Sequence, residues 1–288
     1  MTQIIEQGVL ESVKTTLVAG NPKRTLCVGD IHGGYKSLLQ VLERCNFDNK
    51  IDKLIGLGDV ADGWGETAEL VEYLIGLQEE SNNRHIFLRG NHDAWCQEWL
   101  NYGIAKDIWV MQGGKATIDS YIRTGYLTDS RHKRFFNRLH NYYVDDNNRG
   151  FVHGGFRSKN GLGYEAYESD YYWDRTLWEI AMAVDKDFKL INKEDFRTNP
   201  YRFEKHLEIY LGHTTTGNWL VKPHLPEYQY SEQPKQGRII TPMNRCNVWN
   251  LDTGGGFEGR LTIMDIDTKE FWQSDDMRTL YPNELGRG

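Results

Sequence analysis

The residue types in this sequence that are best suited to chemistry stand beside glycines at the ends of short apolar runs. They occur in GDIHGG (Asp30, His32), GDVAD (Asp59, Asp62), GNHD (Asn91, His92), HGG (His153) and GHTTT (His213). Two carboxylates in one tight loop, as at Asp59 and Asp62, repel each other and lose hydration. Taken singly, each motif is better explained by a polar turn, whereas together they favour a bound cation.

The donor set indicates which metals could bind. Aspartate, histidine and asparagine without a thiolate suit borderline divalent metals, with manganese as the first choice and iron or zinc as alternatives. Two such ions about 3.5–4 Å apart need a ligand that bridges them. A carboxylate can bridge two ions and a histidine cannot, so we predict two divalent metal ions with Asp59 between them.

The elements that position these residues follow from apolar runs that alternate with amphipathic segments. RTLCVGD, DKLIGLGDV and HIFLRGNHD are each followed by a segment of helical spacing, which predicts an α/β (α+β) fold whose sheet has a parallel core. Ligands gather at the carboxyl ends of such strands. RHKRFFNRLHNYYV is predicted to be a basic helix. The last fifty residues are predicted to form hairpins in a second sheet, with DTGGGFEGR as a flexible hairpin turn.

We predict a single domain over residues 1–288 with a cap insertion at about 156–205, a segment rich in aromatic and charged residues. Packing of the cap is the first explanation of its aromatic residues, and a stacking wall for a nucleotide base or a peptide ring is the alternative. These residues are Tyr164, Tyr167, Tyr171, Tyr172, Trp173 and Trp178.

Composition narrows the class of protein. The net charge of −7 over 288 residues argues against a general nucleic-acid or membrane-surface binder. The sequence has neither a secretory signal pattern nor an apolar run of about 18 residues, so we expect no membrane partner. Its cysteines are few and scattered, without a CxxC pair, which indicates reduced thiols in a cytoplasmic protein.

The five motifs, in this order, resemble those of the calcineurin-like metallophosphoesterases. More narrowly, the sequence is similar to the phosphoprotein phosphatase branch, which includes serine/threonine phosphatases, lambda phosphatase and diadenosine tetraphosphatases. The motifs span Gly29 to Thr214, and LDTGGGFEGRLTIMDID resembles the closing strands of that branch. The resemblance implies two packed mixed β-sheets flanked by helices, as a four-layer metallophosphoesterase sandwich.

The resemblance also implies roles for the matching residues. One metal would be bound by Asp30, His32 and Asp59, and the other by Asp59, Asn91, His153 and His213. His92 would be the catalytic residue that contacts the substrate, with Asp62 orienting its ring. Asn91 would also contact the substrate phosphate, and Arg175 matches the phosphate-binding arginine that follows the HGG motif.

Two positions depart from the pattern of the branch. Gly63 stands where an arginine usually follows the Asp62 position, and Asp93 stands where a glutamate often follows the Asn-His pair. The missing arginine binds phosphate in those relatives, so Arg175, or a cap residue such as Arg157, would have to supply the guanidinium.

The resulting hypothesis is a phosphomonoesterase in which a metal-bridging hydroxide attacks phosphorus in line with the leaving oxygen, on a phosphoprotein or a small phosphate ester. The alternative on the same site is a nucleotide or dinucleoside polyphosphate hydrolase or phosphodiesterase. The alternative of another class is a catalytically weak metal-binding module that recognises a phosphorylated partner.

Overall fold

The computed structural model describes residues 22–184, 200–218 and 240–287. Its strands are β1 (Thr25–Val28), β2 (Lys53–Gly56), β3 (Ile86–Phe87), β4 (Tyr142–Val144), β5 (Gly150–Val152), β6 (Ile209–Leu211), β7 (Met243–Arg245), β8 (Val248–Asn250), β9 (Thr262–Asp265) and β10 (Phe271–Gln273). Its helices are α1 (Tyr35–Arg44), α2 (Thr67–Glu80), α3 (Asn91–Tyr102), α4 (Asp107–Trp109), α5 (Lys115–Thr124), α6 (Ser130–Asn137), α7 (Asp170–Trp173), α8 (Thr176–Val184) and α9 (Met277–Leu280).

The strands form two mixed sheets, as predicted. The first sheet has the order β10-β9-β1-β2-β3, with β1, β2 and β3 parallel and β9 antiparallel to β1. The second has the order β4-β5-β6-β8-β7, with β5, β6 and β8 parallel. Both sheets therefore have the parallel core at whose carboxyl edge ligands are expected.

Successive side chains of the buried strand β1 pack into two different apolar clusters, one on each face of the first sheet. In β1, Leu26 and Val28 pack in the apolar cluster that also contains residues of α1 and α2. Cys27 between them packs in a second cluster together with Phe151 and Tyr210 of the other sheet. Successive side chains of a strand face opposite sides, so helices cover one face of the first sheet and the second sheet covers the other face. The predicted α/β fold of two packed sheets flanked by helices is confirmed.

Three local predictions are wrong in whole or in part. The predicted basic helix ends with α6 at Asn137, and Tyr142–Val144 instead forms β4, because aromatic and β-branched side chains suit the edge position beside β5. Of the hairpins predicted for the last fifty residues, β7–β8 lies in the second sheet as predicted, whereas β9–β10 belongs to the first sheet. DTGGGFEGR is therefore the connection from β8 to β9 between the two sheets, and not a hairpin turn.

The segment predicted to be a cap is described at 156–184 and 200–205, and its remaining residues, 185–199, lie outside the described residues. Leu177 and Trp178 of α8 are buried against residues of β6 and β8. Tyr164 and Tyr167 are exposed. The cap insertion stays a prediction. Among the described helices, none is long and apolar enough to cross a membrane.

Candidate metal centre

The predicted ligands lie in sharp turns at the carboxyl edges of both sheets. Four of the residues singled out in the motifs have left-handed backbone conformations, with φ of 52° at His32, 52° at Asp59, 75° at Asp62 and 67° at His213. Such conformations are strained for residues with a side chain and concentrate at functional sites. Asn91 and His92 differ from the prediction, since they begin helix α3 instead of ending a strand.

One carboxylate oxygen lies at the centre of the cluster. Asp59 Oδ1 accepts a hydrogen bond from the backbone N–H of His92 at 3.0 Å. Asp59 Oδ2 is buried, has no hydrogen-bond partner among the described residues, and lies 3.4 Å from both His32 Nε2 and His153 Nε2. An unpaired buried carboxylate oxygen is costly unless a cation faces it, so this atom fits a metal on each side.

Backbone carbonyls fix the rings of two histidines. His32 Nδ1 donates to Ala61 O at 3.1 Å, and His153 Nδ1 donates to Leu57 O at 2.9 Å. Both Nε2 atoms therefore face Asp59, in the arrangement that orients metal-binding histidines through a second hydrogen bond.

Two ligand groups share Asp59. Asp30, His32 and Asp59 form one compact group, and Asp59, His153 and His213 form the other. Asn91 belongs beside the second group, since its Oδ1 lies 3.2 Å from His153 Nε2. Asp30 Oδ1 and His213 Nε2 are buried without partners in the described part of the chain. The donors present thus fit two divalent ions.

Electrostatics of the cluster favour bound positive charge. Burial and the nearby Asp252 and Asp59 hold the pKa of Asp30 well above its usual range. The three buried carboxylates cannot all ionise easily. Burial lowers the pKa of His153, but Asp59 and Asp30 outweigh it and raise that pKa to about 9. The carboxylates therefore favour positive charge at the side of His153 that faces Asp59.

His92 and Asp62 form a separate buried pair. His92 Nδ1 lies 2.7 Å from Asp62 Oδ2, which also accepts from Trp109 Nε1 at 2.6 Å, while Asp62 Oδ1 accepts from Thr117 Oγ1 at 2.7 Å. Asp62 is thus fully hydrogen-bonded and fixes the His92 ring. His92 Nε2 is buried without a partner in the described residues, so it can exchange a proton or a hydrogen bond with a substrate.

Sequence reasoning missed Trp109 and Thr117. They lie on either side of the kink at Val110–Gly114, where Gly113 has φ of 103° and its carbonyl oxygen accepts from Gly63 N at 3.2 Å. Nothing in their spacing relates them to Asp62. The one available signal is Gly-Gly within a helical pattern, which indicates a break in the helix.

The two departures from the expected motifs have local reasons. Asp93 accepts from the backbone N–H groups of Val60 and Ala61 and from that of Gly90, so it holds the turn that carries Asp59. Burial and the nearby Asp59 raise the pKa of Asp93 to about 7. Gly63 has φ of 97°, a conformation that a residue with a side chain adopts only with strain.

Replacing Gly63 by Ala is expected to destabilise the protein by about 1–3 kcal/mol, because the left-handed conformation penalises a Cβ. Gly76→Ala is the matched control, since Gly76 lies within α2 and nothing lies within 4 Å of a Cβ there. That change should stabilise by about 0.5–1 kcal/mol. Urea unfolding of both variants checks this, and equal stabilities would contradict the strained loop.

Comparisons with known proteins decide the family. The sequence profile described as calcineurin-like phosphoesterase matches residues 23–226. The chain belongs to this family. It is 29% identical over 260 residues to the serine/threonine-protein phosphatase 1 of Salmonella typhimurium, covering 89% of this chain and 98% of that protein. The calcineurin-like phosphoesterases are metal-dependent, so the predicted metal-dependent phosphoesterase is confirmed.

Other proteins that resemble this chain carry a different activity in their names. A symmetrical bis(5'-nucleosyl)-tetraphosphatase of Coxiella burnetii is 30% identical over 83 residues, which is 29% of this chain and 26% of that protein. A solved structure named as a candidate diadenosine tetraphosphatase superposes with a TM-score of 0.53 at 16% identity, covering 88% of this chain and 94% of that one. The superposition shows that the two proteins share a fold. As a calcineurin-like phosphoesterase, the present chain acts on phosphate esters.

Proposed function

We propose that this phosphoesterase is a binuclear-metal phosphomonoesterase that acts on a phosphoprotein or a small phosphate ester. The observation that carries the proposal is Asp59 Oδ2, a buried oxygen common to two ligand groups. Asp30 and His32 would complete one site, and His153 with His213 the other. Asn91 would add a neutral oxygen to the second site and contact the substrate phosphate.

Divalent ions there, with manganese the first choice, would neutralise the phosphoryl oxygens and generate a nucleophile from water. Asp59 is held in place for this role, because its Oδ1 accepts a hydrogen bond from the backbone N–H of His92. Burial of the ligands keeps water from screening the charges. Cys27, Cys45 and Cys96 are buried thiols outside any disulfide, which supports action in the reducing cytoplasm.

His92 would act on the leaving group. Its Nδ1 is held by Asp62, so a proton on Nε2 would face the substrate side of the cluster. Donation of that proton to the departing oxygen is general acid catalysis, which suits an alkyl ester because its alkoxide is a poor leaving group. Asp62 is the positioning residue, through its bonds from Trp109 and Thr117.

Arg175 would bind the phosphoryl oxygens. Its Nη1 donates to His213 O and to Thr214 Oγ1, both at 2.9 Å, so the guanidinium lies against the turn that carries a metal ligand. Arg157 is a poorer candidate, because its Nε lies 3.2 Å from Asp174 Oδ1 and its side chain is 61% exposed.

Arg175→Ala is expected to lower kcat/KM for p-nitrophenyl phosphate by about 30–1000-fold, since a charge-assisted contact to the transition state is lost. Arg175→Lys should recover only part, because an ammonium cannot form a two-pronged contact. Arg157→Ala, the control, should stay near wild type. If Arg175→Ala retains its metals and wild-type kinetics, Arg175 serves only to support the His213 turn.

A second candidate function rests on an aromatic pair beside the site. Trp95 packs edge-on against His92, with ring centroids 5.2 Å apart, and Trp173 packs against Trp95 at 5.1 Å. Trp173 is 42% exposed, so it offers a face on which a nucleoside base could stack. This feature favours a nucleotide or dinucleoside polyphosphate hydrolase.

A substrate panel separates the candidates. We expect the manganese-loaded protein to hydrolyse phosphopeptides and p-nitrophenyl phosphate with higher kcat/KM than diadenosine tetraphosphate. Trp173→Ala should leave turnover of p-nitrophenyl phosphate nearly unchanged. A preference for diadenosine tetraphosphate that Trp173→Ala abolishes would establish the second candidate in place of the first.

A further inference from the structure

The connection from β8 to β9 lies directly over the candidate metal centre. A Cβ on Gly255 would lie 2.5 Å from Asp30 O, and one on Gly256 would lie 2.4 Å from His32 Cδ2. Trp64 Nε1 anchors the connection by donating to Gly255 O at 2.7 Å. The glycines are therefore required because the backbone passes so close to two candidate ligands.

The same connection receives Arg287, the last described residue. The backbone N–H of Arg287 donates to Gly256 O at 2.9 Å, and its guanidinium carbon lies 5.1 Å from the centre of the Phe257 ring. Its Nη1 reaches to 3.2 Å from His32 Nε2, while its Nε is buried without a partner among the described residues. A cation is thus fixed at the edge of the metal centre with donor capacity left over.

Arg287 also crosses the space beside Gly63. A Cβ on Gly63 would lie 3.2 Å from Arg287 Cγ. The side chain of Arg287 therefore runs through the region where a side chain at position 63 would begin. Given the proposed phosphomonoesterase function, we propose that Arg287 supplies the guanidinium that Gly63 lacks and binds the phosphoryl group of a phosphomonoester dianion.

Charge at the site supports a doubly charged ligand. Arg175 Nη1 donates to the backbone oxygen of His213, and Arg287 Nη1 lies 3.2 Å from His32 Nε2. One guanidinium therefore adjoins each ligand group, and an anion that contacts both is stabilised by both positive charges. A monoester carries two negative charges and a diester one, so the arrangement selects monoesters.

The test compares Arg287→Ala with Arg278→Ala, a control whose arginine is exposed and pairs with Glu258. In the manganese-loaded protein, Arg287→Ala should lower kcat/KM for p-nitrophenyl phosphate by about 10–100-fold. It should lower kcat/KM for bis(p-nitrophenyl) phosphate by less than about threefold, because the diester carries only one negative charge. Guanidinium ion at millimolar concentration should restore part of the monoester activity, and Arg278→Ala should match wild type.

Binding of inorganic phosphate to the manganese-loaded protein, measured by calorimetry, is the readout that does not depend on turnover. Arg287→Ala should weaken phosphate binding by about 10-fold or more with its metal content unchanged. Equal phosphate affinity in wild type and Arg287→Ala overturns the proposal, as does a variant that loses its metals, since Arg287 would then support His32. A wild-type protein that binds phosphate through Arg287 but hydrolyses no ester would contradict the proposed function alone.

Discussion

Replacing Asp59 by Asn is expected to lower kcat of the manganese-loaded protein by about 10³-fold or more. The amide oxygen can still accept from the His92 backbone as Asp59 Oδ1 does, so the turn should keep its shape. What is lost is the negative charge of the oxygen shared by both ligand groups. Metal ions contribute several kcal/mol to such reactions, and each 1.4 kcal/mol is tenfold in rate.

Metal analysis of the same variant identifies the cause of the loss. Asp59→Asn should weaken the binding of both metal ions, whereas His213→Ala should mainly empty the site that His213 shares with His153. The measurement is manganese per chain by atomic emission after loading and desalting. An Asp59→Asn protein that binds manganese and turns over like wild type would contradict the bridging role.

His92→Asn is expected to lower kcat on alkyl phosphates by about 10²–10⁴-fold while the metal content stays unchanged. The loss should be much smaller on p-nitrophenyl phosphate, because nitrophenolate leaves without a proton. The reason is the free Nε2 of a ring that Asp62 holds in place. Steady-state kinetics on both substrates check this expectation.

His206→Asn is the matched control, because His206 is buried outside the site and bonds to Leu162 and Asn148. His206→Asn should lower the stability of the protein. At temperatures below its unfolding transition, its kcat should stay near that of wild type. Equal losses for His92→Asn on both substrates would assign His92 to substrate binding or metal support instead of proton donation.

The positions of the candidate ligands could be predicted because their signal is local. Asp30 and Asp59 follow apolar strands of the first sheet and His153 follows one of the second, and the parallel core of each sheet brings such strand ends to its carboxyl edge. Burial on both faces left a continuous apolar run at β1 and β2, so the parallel core of the first sheet could also be predicted from the sequence. Asn91 and His92 show the limit of predicting positions from strand ends, because helix α3 begins at their motif.

The rest of the site depends on contacts that sequence spacing does not encode. Arg287 lies beside His32 although the two residues are 255 positions apart in the sequence. The position of Arg287 depends on the path of the β8–β9 connection. That connection was misread because glycines signal a hairpin turn and a close backbone approach equally well. Likewise, Trp109 reaches Asp62 only because the helix breaks at Val110–Gly114.

The most direct test of the binuclear centre is a titration of metal-free protein with Mn²⁺, following bound manganese and hydrolysis of p-nitrophenyl phosphate together. Because Asp59 Oδ2 faces both ligand groups, we predict negligible turnover without metal and full turnover only when two ions are bound per chain. Full activity of the metal-free protein, or no manganese bound at saturating concentration, would contradict the account.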